Sequence, residues 1–342
     1  MAAFSGITAL RKIQMGQESS SGTPIACDIL WRGTGSIKDT RKIVSVGENE
    51  NVGHHAPIDT TYTAQTGSET TLDQDLTAEQ FMYVLNAGYE LSGPAADGAG
   101  TGKVWTADMP ATASITVPTG TYTINQIMTD GTTEWADRTA YNYVSQYSVT
   151  GTPGELLKLS STWVGRGPAT GVASAIIDVP TVHPIPFGGG TMYIDAYNGT
   201  LGATAKTNSL IGFTLDVKTG LVPAYTADSL NFSIVKYTRP EVVAKITWEQ
   251  NANANSERQT QHWSQVTRQL RLKFVGAALT TPGTAYTYYT VIIDICGKWT
   301  QFDQVDSQDG DEIITGTLTG MYNGTAGLYH KVIVVNQDAA LL

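Results

Sequence analysis

The stretch Thr61–Tyr89, TYTAQTGSETTLDQDLTAEQFMYVLNAGY, decides the fold of this chain. It opens as a Thr-rich alternating segment, gathers carboxylates at Glu69, Asp73 and Asp75, and then changes period. Thr77 followed three residues later by Gln80 has the capping-box spacing that opens a helix. Phe81, Val84 and Leu85 stand at i, i+3 and i+4, one apolar face. Gly88 follows where a helix end favours a residue that tolerates positive φ. The expectation is a strand pair feeding one short amphipathic helix. A second stretch repeats the pattern: Val242–Trp248 alternates cleanly, Ser256 and Gln259 form another capping box, and Trp263, Val266 and Leu270 give a stripe at i, i+3 and i+7.

Working outward, the composition suits sheets and turns. The chain has 342 residues, ample for a large core, and only 15% are charged against roughly 25% in ordinary globular chains. Thr, Ser and 35 Gly take their place. With 21 Lys+Arg against 31 Asp+Glu the net charge is −10, which disfavours a polyanion-binding surface, because phosphate contacts need clustered Lys and Arg. Cys27 and Cys296 lie far apart, and buried thiols in a reducing compartment are expected rather than a disulfide framework. The N-terminal run has its apolar residues before its charges, the reverse of a secretory leader, and no apolar run reaches the ~18 residues of a membrane helix. A soluble protein made in a cytoplasm is expected.

Further strands are expected at Ile25–Arg32, Tyr122–Met128, Tyr141–Val149, Leu157–Trp163, Met192–Tyr197, Leu210–Val217, Tyr289–Ile295, Ile313–Tyr322 and Lys331–Asn336. TGTPGE has the look of a hairpin connection between two of them. Gly33–Thr60 reads as a long irregular loop with one strand near Ile43–Val46, and 91–102 as a surface excursion. The order strand, capped helix, strands, hairpin occurs over Thr61–Arg166 and again over Val242–Tyr322, which reads as a diverged internal duplication. The Gly/Pro-rich stretch 167–190 is the expected linker between a first unit (1–166) and a second (191–342).

Chemistry is sparse. His54, His55 and Asp59 are the nearest approach to a metal set, but adjacent residues on an extended chain point to opposite sides and no further ligand follows at zinc spacing. Gly188–Gly190 has no Lys-Ser/Thr behind it and precedes a strand, so it is no phosphate loop. Acid pairs such as Asp306/Asp309 or Asp73/Asp75 fit solvated turns better than the paired carboxylates of glycoside hydrolysis. No catalytic residue, metal or cofactor is expected. Long Thr- and Tyr-rich strands with free edges aggregate unless another chain pairs with them, and closing a barrel from several subunits removes every edge.

Four segments carry a family resemblance: GTPIACDILWRGTGSIKDTRKIVSVGE, TTLDQDLTAEQFMYVLNAGY, YVSQYSVTGTPGELLKLSSTWVGR and ITGTLTGMYNGTAGLYHKVIVVN. In order and texture the chain resembles the major tail tube proteins of long-tailed, non-contractile bacteriophages. The resemblance implies a mainly β fold, a β-sandwich or partial barrel with short flanking helices, whose strands join an inter-subunit barrel. It implies a virion tail protein, assembled in the host cytoplasm, that stacks in rings as the conduit for DNA ejection. The partners are then other copies of itself, the tape-measure, tail-terminator and baseplate or tip proteins, and genomic DNA in non-specific passage, with no membrane. If the chain carries two units, trimeric rings with pseudo-sixfold symmetry are expected, a homohexamer being the alternative. Lys38, Asp39, Arg41, Lys42, Glu48, Glu50, His54, His55 and Asp59 are the expected contact loop between rings. Glu69, Asp73 and Asp75 are expected at a lumen or interface, and the acidic balance predicts a negative lumen that keeps DNA off the wall. The helix opening at Thr77 is expected as a brace outside the barrel. The rival readings are the tube of a contractile tail or secretion apparatus, and a glycan-binding or adhesive β domain.

Overall fold

The computed structural model describes residues 8–45, 53, 55, 56, 60–109, 120–130, 133–171 and 177–341. The first half supplies β1 (Lys12–Gln17), β2 (Ile29–Leu30), β3 (Thr34–Asp39), β4 (Lys42–Ser45), β5 (Thr61–Gln65) and β6 (Ser68–Asp75). Helix α1 (Phe81–Gly88) follows, then β7 (Glu90–Ala96), β8 (Lys103–Asp108), β9 (Tyr122–Thr129), β10 (Glu134–Gly151), β11 (Lys158–Gly165) and β12 (Ala169–Thr170). The second half supplies β13 (Gly190–Ala196), β14 (Leu210–Lys218), β15 (Leu221–Ala224), β16 (Ile234–Tyr237) and β17 (Glu241–Glu249). After α2 (Ala252–Asn255) and a π-helical turn (Ser256–His262) come β18 (Arg268–Ala278), β19 (Tyr288–Phe302), β20 (Asp306–Gln308), β21 (Asp311–Gly320) and β22 (His330–Asn336).

The molecule is mainly β, and one large antiparallel sheet runs through both halves. Its strands stand side by side in the order β3, β6, β11, β10, β14, β17, β21, β19. Among the described residues the pairings never return to their start, so the sheet is open, ending at β3 on one side and at the C-terminal part of β19 on the other. Each half contributes four strands, and in each the spatial order is first, second, fourth, third by position along the chain.

Two strands are long enough to serve two sheets. β10 begins paired with β9 and β12, then crosses into the large sheet beside β11 and β14. The crossing is marked by a register shift between Thr139 and Asn142, with Tyr141 at φ 58°. β19 does the same, first between β18 and β22 and then against β21. The smaller sheets, β2–β1–β9–β10 and β13–β18–β19–β22–β8–β7, pack under the large one.

One apolar cluster spans both halves. It is fed by the inward positions of alternating strands, such as Leu72 on β6, Leu159 and Trp163 on β11, and Ala244, Ile246 and Trp248 on β17. Edge-on aromatic pairs tie it together: Phe81–Tyr147 at 5.8 Å and Tyr122–Trp163 at 5.6 Å between ring centroids.

Several expectations are corrected. Helix α1 is buried almost all round rather than along one stripe: seven of its eight residues are buried, Asn86 being the exception. At eight residues it is marginal alone, and its stability comes from burying Phe81, Met82, Val84 and Leu85, each contributing roughly 1.5–3 kcal/mol. The Thr77 hydroxyl accepts the Gln80 N–H at 3.3 Å, but the Gln80 side chain turns away, donating to the Leu30 carbonyl and accepting from Arg32 N–H. Gly88 is needed for space rather than for positive φ, since a Cβ there would press on the Thr219 methyl at 3.0 Å. The second helix starts earlier than Ser256: Asn251 caps it, its Oδ1 accepting from Asn253 and Ala254 N–H. Trp263 is exposed and Leu270 belongs to β18, so the expected stripe does not exist. Gly33–Thr60 is not a loop at its start, because Thr34–Asp39 is an edge strand, and 91–102 includes most of β7. Within 167–190, residues 184–187 are strapped to the first half, with Ile185 N–H donating to Leu76 O and Leu157 N–H to Ile185 O. No helix among the described residues is long and apolar enough to cross a membrane.

Candidate assembly surfaces

Strand alternation gives the large sheet one face toward the core and one toward solvent. The solvent face presents Thr34 and Ser36 from β3, Thr71 from β6, Ser160 and Thr162 from β11, Ser148 and Thr150 from β10, Thr214 from β14, and Thr247, Thr315, Thr317 and Thr319 from β17 and β21. Two shallow depressions lie on it, one over Gln146, Ser160, Thr162, Asp216 and Lys218, the other over Thr34, Asp73, Ser148, Thr150 and Lys158. The face is therefore rich in hydroxyls and dented in two places.

Glu69, Asp73 and Asp75 stand on this face, exposed, on odd-numbered positions of β6. Lysines answer them. Lys38, Lys158, Lys218, Lys245 and Lys298 share the face with Glu69, Asp73, Asp75, Asp216, Glu241 and Glu249, so lysines and carboxylates interleave on it. Several are paired across strands: Lys218 Nζ lies 2.7 Å from Glu241 and Lys158 Nζ 3.8 Å from Asp75. The hydrogen bond to Glu241 holds the Lys218 ammonium above its usual pKa. Such a surface has neither a lysine cluster to grip phosphates nor a bare acidic field.

The expected inter-ring residues separate into groups. Lys38 and Asp39 end the edge strand β3, and Lys42 opens β4, with Arg41 between them 3.4 Å from Asp39. His55 is exposed; Glu48, Glu50, His54 and Asp59 lie outside the described residues. β4 and β5 form a two-stranded hairpin separate from the large sheet, and β15 and β16 form another. Each hairpin is inserted between the first and second strands of its half. The second was not legible as a feature in the sequence, although GLVPAYTADSLNFSIVKYTRP combines turn residues with apolar ones that a two-stranded hairpin leaves half exposed.

Buried ionisable groups are committed to holding backbone and helices. Glu18 accepts from Gly22 and Tyr141 N–H and from the Thr121 and Thr123 hydroxyls. Asp195 accepts from Gly202, Ala203 and Thr204 N–H, and Asp97 from Ala285 and Tyr286 N–H. Glu257 is gripped by Arg268 at 2.7 and 2.9 Å and by the Trp299 indole at 3.0 Å. Asp294 forms a forked pair with Arg271, yet burial pushes its carboxyl up. His330 bonds the Asp294 carbonyl through Nδ1 and the Tyr147 hydroxyl through Nε2, and burial lowers its pKa to about 4. Cys27 and Cys296 are buried without a disulfide, and burial raises their thiols to about 12 and about 11. Asp306 and Asp309 lie on the exposed β20–β21 hairpin, well apart from Asp73 and Asp75 on β6. Among the described residues no three His, Cys, Asp or Glu side chains converge as a metal set. No protein-family model matches the chain, and no curated protein matches it.

Proposed function

We propose that this chain is a structural virion protein, a tail tube subunit that carries two ring-building units and assembles as stacked rings around the path of the ejected genome. One observation supports this above the others. The two halves place four strands each in the same unusual order, and they join edge to edge through β10 and β14 within a single sheet. A joint that one chain makes internally, between its third strand and the next unit's first, is the joint that β19 of one copy and β3 of the next would make between chains. Three copies then close a barrel of six units, with the hydroxyl-rich face inward. A wall of Thr and Ser with locally neutralised charge lets a polyanion slide without sticking. The test is imaging of the purified protein by cryo-electron microscopy. Tubes of stacked three-chain rings are expected; rings of six chains would contradict the two-unit reading, and a protein that stays monomeric at all concentrations would contradict the tube.

A further inference from the structure

The internal joint carries a clasp. The β15–β16 hairpin leaves between β14 and β17 and folds back across the joint onto the middle of β10, at Tyr141 and Tyr143, and onto Arg166 and Gly167 just after β11. Phe232, fully buried, lies 5.0 Å from Tyr141 and 6.0 Å from Tyr143 between ring centroids. Arg166 stacks over Tyr141 at 4.9 Å and donates from Nε to the Phe232 carbonyl at 3.2 Å, and Gly167 N–H donates to Asn231 Oδ1 at 3.0 Å. Leu221 and Val235 complete this small core.

The β4–β5 hairpin occupies the same place in the first half, yet its apolar side chains are bare. Val44 and Tyr62 stand directly opposite one another, 41% and 62% exposed, and Ile43 is 62% exposed. At the far edge of the sheet, β19–β21 matches β10–β11 bulge for bulge: the shift between Val144 and Gln146 has its counterpart between Trp299 and Gln301. Counting from these bulges, Trp163 corresponds to Leu318, so Arg166 and Gly167 correspond to Met321 and Tyr322. These two are 41% and 47% exposed. The chain thus has an uncovered hairpin at one edge and, at the other, an exposed segment in the place of Arg166 and Gly167, with Cys296 and Lys298 in the places of Tyr141 and Tyr143.

We infer that the β4–β5 hairpin of one copy docks, through Val44 and Tyr62, on the Met321–Tyr322 segment of the neighbouring copy in the same ring, repeating between chains the contact that β15–β16 makes within one. This rests on the ring reading above. It assigns the base of the expected inter-ring loop to a lateral contact.

A benzophenone amino acid in place of Tyr62, in an equal mixture of nitrogen-15-labelled and unlabelled protein, tests both levels. Assembled rings should yield mixed-isotope crosslinks mapping to 319–322. Rings whose crosslinks map elsewhere, or that give none between chains, overturn the clasp and leave the ring reading standing; absence of any ring overturns that reading instead. Independently, Tyr62→Asp and Val44→Asp alter side chains already in water, so monomer melting should be unchanged. The protein concentration needed for assembly should rise at least roughly tenfold, about 1.4 kcal/mol; assembly at the wild-type concentration overturns the inference.

Discussion

Glu257→Ala removes a carboxylate that is 1% exposed and holds three donors, two from Arg268 and one from Trp299. Loss of one partner from a buried ion pair costs about 3–5 kcal/mol, because the remaining charge keeps its desolvation without its counter-charge. The orphaned indole N–H adds a share of about 1–3 kcal/mol, offset in part because the Arg268 side chain retains an 11% opening to water. The expected total is about 4 kcal/mol, a large fraction of a total stability of roughly 5–15 kcal/mol. Urea denaturation followed by tryptophan fluorescence measures it, and Trp299 reports on the site itself. The pair Glu257→Leu with Arg268→Met, which removes both charges and fills the volume, should recover most of the loss. For scale, Lys158 with Asp75 is an exposed pair worth at most about 1 kcal/mol. If Glu257→Ala costs no more than that, the carboxylate does not anchor the π-helical turn to β18 and β19, and the reasoning fails.

Three further outcomes are expected. His330 is neutral in the fold, its pKa lowered to about 4 from an unfolded value near 6.5, so its contribution is complete above about pH 6.5 and is lost as pH falls toward 4, roughly 3 kcal/mol in all; urea melts at pH 7.5 and 4.5 should show a smaller acid loss for His330→Gln, and equal losses would refute the assignment. Gly297→Ala drives a Cβ into the Thr319 backbone carbonyl across the β19–β21 pair, and should lower stability by about 1–3 kcal/mol in the same urea assay. Cys27 and Cys296, buried with raised pKa values, should resist a thiol-specific disulfide reagent at pH 8 and react only as urea unfolds the chain.

Where the period of the residues and the burial agree, the sequence was readable. Leu72, Trp163, Ile246 and Leu318 alternate with polar neighbours because one sheet face is core and the other water, and each strand was found within a few residues. The same signal misled at α1, where Phe81, Val84 and Leu85 form a stripe but Met82, Tyr83 and Ala87 are buried too, since the helix lies between sheets rather than on one. At Ser256 a capping-box pattern lost to Asn251, whose amide oxygen reaches two N–H groups from a position five residues earlier. The edge strand Thr34–Asp39 escaped notice because its polar residues gain their register from β6 and not from apolar alternation. The pairing of charges on the solvent face was likewise illegible: lysines and carboxylates meet there across strands, and net composition says nothing about which residues share a face.

The β10–β14 joint has a kinetic consequence. Being intramolecular, it forms at an effective concentration on the order of millimolar whatever the dilution of the protein. In the proposed ring every second seam is thus closed before two molecules meet, and only the seams between β19 and β3 depend on collision. Growth would then proceed by preformed double steps, with fewer incomplete arcs to be trapped. The two halves, freed from having to be identical, could also diverge: β7 and β8 interrupt only the first half, where β8 reaches over to pair with β22 of the second. The exterior of such a ring would repeat with threefold periodicity over an inner wall that keeps sixfold spacing.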